Sequence, residues 1–159
     1  MLLISEDFNT HEASLRRLVS QFADAVNRRD ADLFKTLWLE EGVWEIKPPI
    51  AVMVTGQNNI VDIFSNLLAR WDFFVQMIHS GVVSIAGEQA QARWCMEEIG
   101  RSHDGQGFHN YGYYEDQFVL REGRWYFARR TYHFYYLEEP QLTGTTFSLA
   151  ASKALTELT

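Results

Sequence analysis

The hydrophobic period of the chain changes partway along it. Between Asn9 and Asp30, Leu15, Leu18, Val19, Phe22 and Val26 recur at three- and four-residue intervals, the single apolar stripe of an amphipathic helix. Asn9 and Glu12 fit a capping box at its start. Asp30 is expected to cap a short second helix that buries Leu33, Phe34, Leu37 and Trp38. "EEGVWEIKPP" reads as a turn and a short strand closed by two prolines. "GQNNIVDIFSNLLARW" reads as a third helix with Ile60, Ile63, Phe64, Leu67, Leu68 and Trp71 inward. From there the period falls to two. Strands are expected from about Val75 to Ile85, Ala90 to Ile99, Phe108 to Arg121 and Trp125 to Tyr136. Helices followed by a strand meander predict an α+β fold rather than βαβ units. No internal repeat or low-complexity segment interrupts it. Residues 1–137 are expected to form one domain. The more polar tail, 138–159, could dock a short helix through "SLAASKALTEL".

The third expected strand does not sort its faces cleanly. One face carries Phe108, Asn110, Gly112, Tyr114, Asp116, Phe118 and Leu120, so polar groups stand in an apolar row. A curved sheet covered by helices leaves space that becomes either packed core or a pocket. Those polar groups are therefore candidates for a pocket wall.

Composition narrows the function classes. The chain has 159 residues, 14% of them aromatic, which suits a core, a subunit interface or a pocket for a planar apolar ligand. A net charge of −7 argues against a nucleic-acid partner, since phosphate binding needs clustered Lys and Arg. The lone cysteine, Cys95, sits in an apolar run and reads as a small buried hydrophobe. The N-terminus lacks the basic lead of a signal peptide, and no uncharged apolar run reaches membrane-spanning length. The expectation is a soluble cytoplasmic protein with no membrane association. His103, Asp104 and His109 make too loose a set to read as a metal site, and no phosphate loop or Ser-His-Asp triad is present.

The stretches "FADAVNRRDADLFKTLWLEEGVWEI", "QMIHSGVVSI" and "GYYEDQFVLREGRWYFARR", in that order, resemble the SnoaL-like division of the nuclear-transport-factor-two-like superfamily. The resemblance spans roughly residues 10 to 135. It implies a cone: three N-terminal helices packed on a strongly curved antiparallel sheet enclosing a pocket, commonly in dimers. Its members include scytalone-dehydratase-like dehydratases, ketosteroid-isomerase-like isomerases, polyketide cyclases and non-catalytic subunits, so the fold does not fix the function.

In the dehydratase-like members an Asp near the end of helix 1 pairs with a His on the first long strand. The resemblance places Asn27 and His79 there, with the histidine retained and the carboxylate replaced by an amide. The tyrosines of that group fall on Val26 and Trp44. Where the cyclases would place an acid, around Arg129–Thr131, this chain has none, and Asp116 is the nearest substitute.

His79 and Asp116 are the expected catalytic residues. His79 stands alone in the apolar row Val75, Met77, His79, Gly81, Val83, Ile85, either as an acid/base or as a satisfied core histidine. Asp116 is read either as a general base or as the ion-pair partner of Arg129 or Arg130 on the adjoining strand. Asn27, Trp44, Tyr114, Tyr132 and His133 are the expected substrate-binding residues, with no metal and no cofactor. Tyr132 and His133 belong to "TYHFYY", which could rim the pocket or form a dimer face. The expected function is that of a small-molecule pocket protein, a cofactor-free dehydratase, isomerase or cyclase for an apolar aromatic or polycyclic ketone or alcohol. The rival expectation is a non-catalytic ligand-binding or assembly subunit like the small subunits of ring-hydroxylating dioxygenases. The expected partners are a small apolar ligand and a second copy of the chain.

Overall fold

The computed structural model describes residues 6–147; the tail helix expected at Ser148–Leu158 lies outside them. Three helices, α1 (Glu6–Arg28), α2 (Ala31–Thr36) and α3 (Gln57–Leu68), accompany six strands. These are β1 (Trp38–Ile46), β2 (Val52–Thr55), β3 (Trp71–Ala86), β4 (Gln89–Ser102), β5 (Gly107–Arg121) and β6 (Arg124–Glu138). They form one curved sheet in the order β2-β1-β6-β5-β4-β3. Every neighbouring pair is antiparallel except β1 and β6, which run parallel. That parallel pair is possible because the long route through α3 and the β3–β5 meander returns the chain to the side of β1.

The stripe predicted for α1 is the buried one: Leu15, Leu18, Val19, Phe22 and Val26 all lie in the core. Phe22 is packed edge-on against Trp38, Trp44, Tyr114 and Phe127, so one helix residue joins three strands. Three polar ties hold α1 along β3. Arg16 donates to the Gly81 carbonyl, Asn27 clamps the Gln76 backbone, and Arg29 donates to the Trp71 carbonyl. Asp30 caps α2 by accepting from the Leu33 amide at 2.9 Å, as its side chain requires. Phe34 of α2 stacks on Phe64 of α3 with ring centroids 3.9 Å apart.

Several sequence expectations change. Asn9 lies inside α1, which starts at Glu6, so the Asn9/Glu12 box does not cap it. Trp38 and Trp71 open strands rather than closing helices. Cys95 is exposed, because β4 alternates and residue 95 falls on its outer face. Among the described residues, no helix is long and apolar enough to cross a membrane.

Candidate functional site

Between α1, α3 and the inner face of the sheet lies a cavity of about 100 Å³. Its walls are apolar, with Phe64, Leu67 and Leu68 from α3 facing Trp71, Phe74 and Phe108 from the strands. Its polar groups come from the inward rows of β3 to β6: Gln76, Glu98, Tyr114 and Tyr132. Asn110 lies fully buried behind them.

These groups form one network. The Gln76 amide nitrogen donates to Glu98 Oε1 at 2.8 Å and to the Tyr114 hydroxyl at 3.2 Å. The Asn110 amide nitrogen donates to Glu98 Oε2 at 3.0 Å, and the Tyr132 hydroxyl donates to Asn110 Oδ1. Gly112 makes room for the last contact. A Cβ on it would overlap the Tyr132 hydroxyl and the His133 carbonyl oxygen.

Glu98 is thus a buried carboxyl whose hydrogen-bond partners among the described residues are two neutral amides. Burial pushes its pKa above the ordinary carboxylate value, and the amide hydrogen bonds only partly oppose that. Burial also raises the Tyr114 and Tyr132 hydroxyls, so they stay protonated.

Asp116 shows the opposite solution to the same problem. It is just as buried, but Arg130 grips it in a bidentate pair, Nε to Oδ1 at 2.8 Å and Nη2 to Oδ2 at 2.9 Å. The guanidinium lies over the rings of Tyr114, Phe22 and Phe127 at 3.7, 4.2 and 4.4 Å. Burial raises the Asp116 carboxyl and Arg130 pulls it back. A guanidinium does not shed its proton, so Asp116, unlike Glu98, has a buried cation set against it. Asp116 does not line the cavity. The ion-pair alternative is what the geometry shows.

His79 is placed differently from its expected position. A register shift between Ile78 and Gly81 interrupts the β3–β4 ladder. Upstream of it the inward row is Phe74, Gln76, Ile78; downstream it is Gly81, Val83, Ile85. His79 falls on the outer face, its side chain 50% exposed and its Nε2 3.6 Å from Glu97. The residue that meets Asn27 is Gln76. The Asn27 side chain donates to the Gln76 carbonyl at 2.9 Å and accepts from its amide at 2.7 Å. Asn27 therefore seats β3 against α1 and does not line the cavity. His133 is also outward, stacked on Tyr113 at 4.6 Å and 2.9 Å from Glu115.

Of the seven expected site residues, Trp44, Tyr114 and Tyr132 line the cavity, while Asn27, His79, Asp116 and His133 do not. Gln76 and Glu98 are polar groups that the sequence reading leaves out, while Asn110, a candidate for the pocket wall, lies buried behind the cavity. Glu98 had a readable signal, since it interrupts the inward row Ala90, Ala92, Trp94, Met96.

Comparison with known proteins bears on the same fold. The model of the SnoaL-like domain matches residues 10–131. A hexachlorocyclohexane dehydrochlorinase, LinA type 2, superposes with a TM-score of 0.79 at 18% identity, covering 90% of this chain and 96% of that one. A scytalone dehydratase candidate from Novosphingobium aromaticivorans superposes at 0.77 with 16% identity, covering 87% and 93%. A cystatin-like-fold protein from Caulobacter vibrioides gives 0.68 at 18% identity, covering 77% and 88%. No curated protein matches the chain by sequence.

Proposed function

We propose that this chain, which belongs to the SnoaL-like domain family, is a cofactor-free acid catalyst that removes water from a small, largely apolar alcohol. The observation that carries the reading is the placement of Glu98: a buried carboxyl beside an apolar cavity, held among the described residues by two amides and by no cation. Burial raises the pKa of such a group, which suits it to start a reaction by giving a proton rather than by taking one. That favours elimination over proton abstraction beside a carbonyl.

The step balances on one carboxyl group. Glu98 transfers its proton to the substrate hydroxyl as the C–O bond breaks and water departs. The resulting carboxylate takes a proton from the neighbouring carbon as the C–H pair becomes the C=C bond, and the acid is regenerated. Tyr114 supports the departing oxygen as a protonated hydroxyl. Trp71, Phe74 and Phe108 exclude bulk water from it. Two proteins that share the fold are named for eliminations, a dehydrochlorinase and a dehydratase, which agrees with the reading without carrying it.

The test is turnover of small cyclic alcohols by the wild-type chain and Glu98→Gln. The variant keeps the shape and loses the transferable proton, so kcat should fall about 10²- to 10⁴-fold. Equal turnover by the two removes Glu98 from the mechanism.

Homodimerisation belongs to the same proposal. The outer sheet face exposes Met77, Val82, Tyr111, Tyr135 and Tyr136 beside paired charges such as Arg93–Glu115 and Arg129–Glu45. Sedimentation equilibrium checks it: Val82→Glu should return a dimer to monomer, and a wild-type monomer overturns it.

A further inference from the structure

We propose that the cavity recognises a compact, neutral alcohol through one hydroxyl group held between the Trp44 indole N–H and the Gln76 side-chain carbonyl. This deepens the dehydration reading and rests on it for the fate of the hydroxyl, though not for its binding. Trp44 Nε1 and Gln76 Oε1 are both sealed from solvent and have no hydrogen-bond partner among the described residues, and both residues line the cavity. Trp38 also carries an indole nitrogen without a partner among the described residues, but it does not line the cavity. Buried polar atoms are nearly always paired, so an unpaired donor and an unpaired acceptor on one small cavity mark a missing complement.

The chemistry of that complement follows from the two atoms. Indole N–H only donates, and an amide carbonyl only accepts. A hydroxyl answers both with one oxygen. A ketone accepts from Trp44 but offers nothing to Gln76. A carboxylate has the same defect and would face Glu98 with no cation in the lining to balance it. An ammonium donates to Gln76 but cannot accept from Trp44. With the Gln76 amide nitrogen on Glu98 and the Tyr114 hydroxyl, its carbonyl oxygen is the atom left over.

The volume sets the size. A dry cavity of roughly 150 Å³ accepts benzene. One of about 100 Å³ is smaller than that, so the site is sized for at most one small ring.

Titration of the full-length chain with cyclopentanol, cyclopentanone, cyclopentylamine and cyclopentanecarboxylate, followed by NMR shifts, tests the inference on the unmodified protein. Cyclopentanol should bind about tenfold more tightly than each of the other three, as one lost hydrogen bond implies. Trp44→Phe and Gln76→Met should each weaken cyclopentanol about three- to tenfold and leave binding of cyclopentane unchanged. Equal or tighter binding of cyclopentanone overturns the inference, as does absence of cyclopentanol binding at millimolar concentration. Glu98→Gln separates the two proposals. Loss of turnover with cyclopentanol still bound supports both. Undiminished turnover in that variant, with the alcohol preference intact, sinks the acid-first mechanism and leaves the hydroxyl site standing.

Discussion

Asp116→Asn isolates the difference between a carboxyl that holds the fold and one that serves the cavity. The substitution keeps the shape and one acceptor but leaves the Arg130 charge buried without its counter-ion. Two unit charges about 4 Å apart attract by about 4 kcal/mol at an effective dielectric of 20. Breaking a buried pair on one side is typically worth about 3–5 kcal/mol. The three aromatic rings around the guanidinium remain in place, so their contribution cancels between the two proteins. The residual Asn–Arg hydrogen bond keeps the expected loss near the lower end, about 3 kcal/mol. With a urea m-value of about 2 kcal/mol/M, the midpoint should drop by roughly 1.5 M. The double variant Asp116→Leu/Arg130→Met should recover to within about 1 kcal/mol of wild type, because no stranded charge remains. Alcohol binding by the folded fraction of Asp116→Asn should persist, since Asp116 does not line the cavity. A midpoint shift below about 0.5 M, or no recovery in the double variant, would refute the reasoning.

Two further expectations follow from the network and from the outer face. Gly112→Ala should displace the Tyr132 hydroxyl from Asn110 and cost about 1–3 kcal/mol in chemical denaturation, as overpacking does; it should also weaken cyclopentanol binding. His109 sits between Glu97 at 2.8 Å and Glu138 at 2.9 Å, and these carboxylates hold its imidazole above its ordinary value. A raised histidine adds stability that is fully present below a pH of about 6.5 and is lost as pH rises through the folded-state value. His109→Gln should flatten the fall of melting temperature between neutral and mildly alkaline pH, and an unchanged slope would contradict that.

Where an element keeps one period from end to end, its faces were legible. The β5 row Phe108, Asn110, Gly112, Tyr114, Asp116, Phe118 points inward as its alternation predicts. The α1 stripe is buried for the same reason. The strand β3 breaks its period at one point. Counting by twos from Gly81, Val83 and Ile85 crosses the irregularity at His79–Ser80 and inverts every residue before it, so His79 was read inward and Gln76 outward. Nothing in "QMIHSGVVSI" marks that irregularity except the glycine, whose Cβ would run into Trp94 across the sheet. The partner of Asp116 is among the alternatives because the tight turn joining β5 and β6 brings Asp116 level with Arg129 and Arg130, and the register shift between Gln117 and Phe118 then sets Arg130 opposite it. The Glu98 network spans β3 to β6, and its convergence depends on sheet curvature, which no local pattern encodes.

The protonation state of Glu98 is the most direct test of the account. Burial places its pKa above the ordinary value of about 4.3. Its contribution to stability is therefore present below that pH and lost as pH rises toward the folded-state value. The difference infrared spectrum between wild type and Glu98→Gln at neutral pH cancels every other carboxyl, Asp116 included. A protonated-carboxyl C=O band that belongs to wild type alone, and that titrates away only above the usual glutamate range, is the predicted result. A spectrum without that band, with Glu98 ionising near 4.3 like a solvent-exposed side chain, would contradict the claim that this cavity is built around a neutral acid.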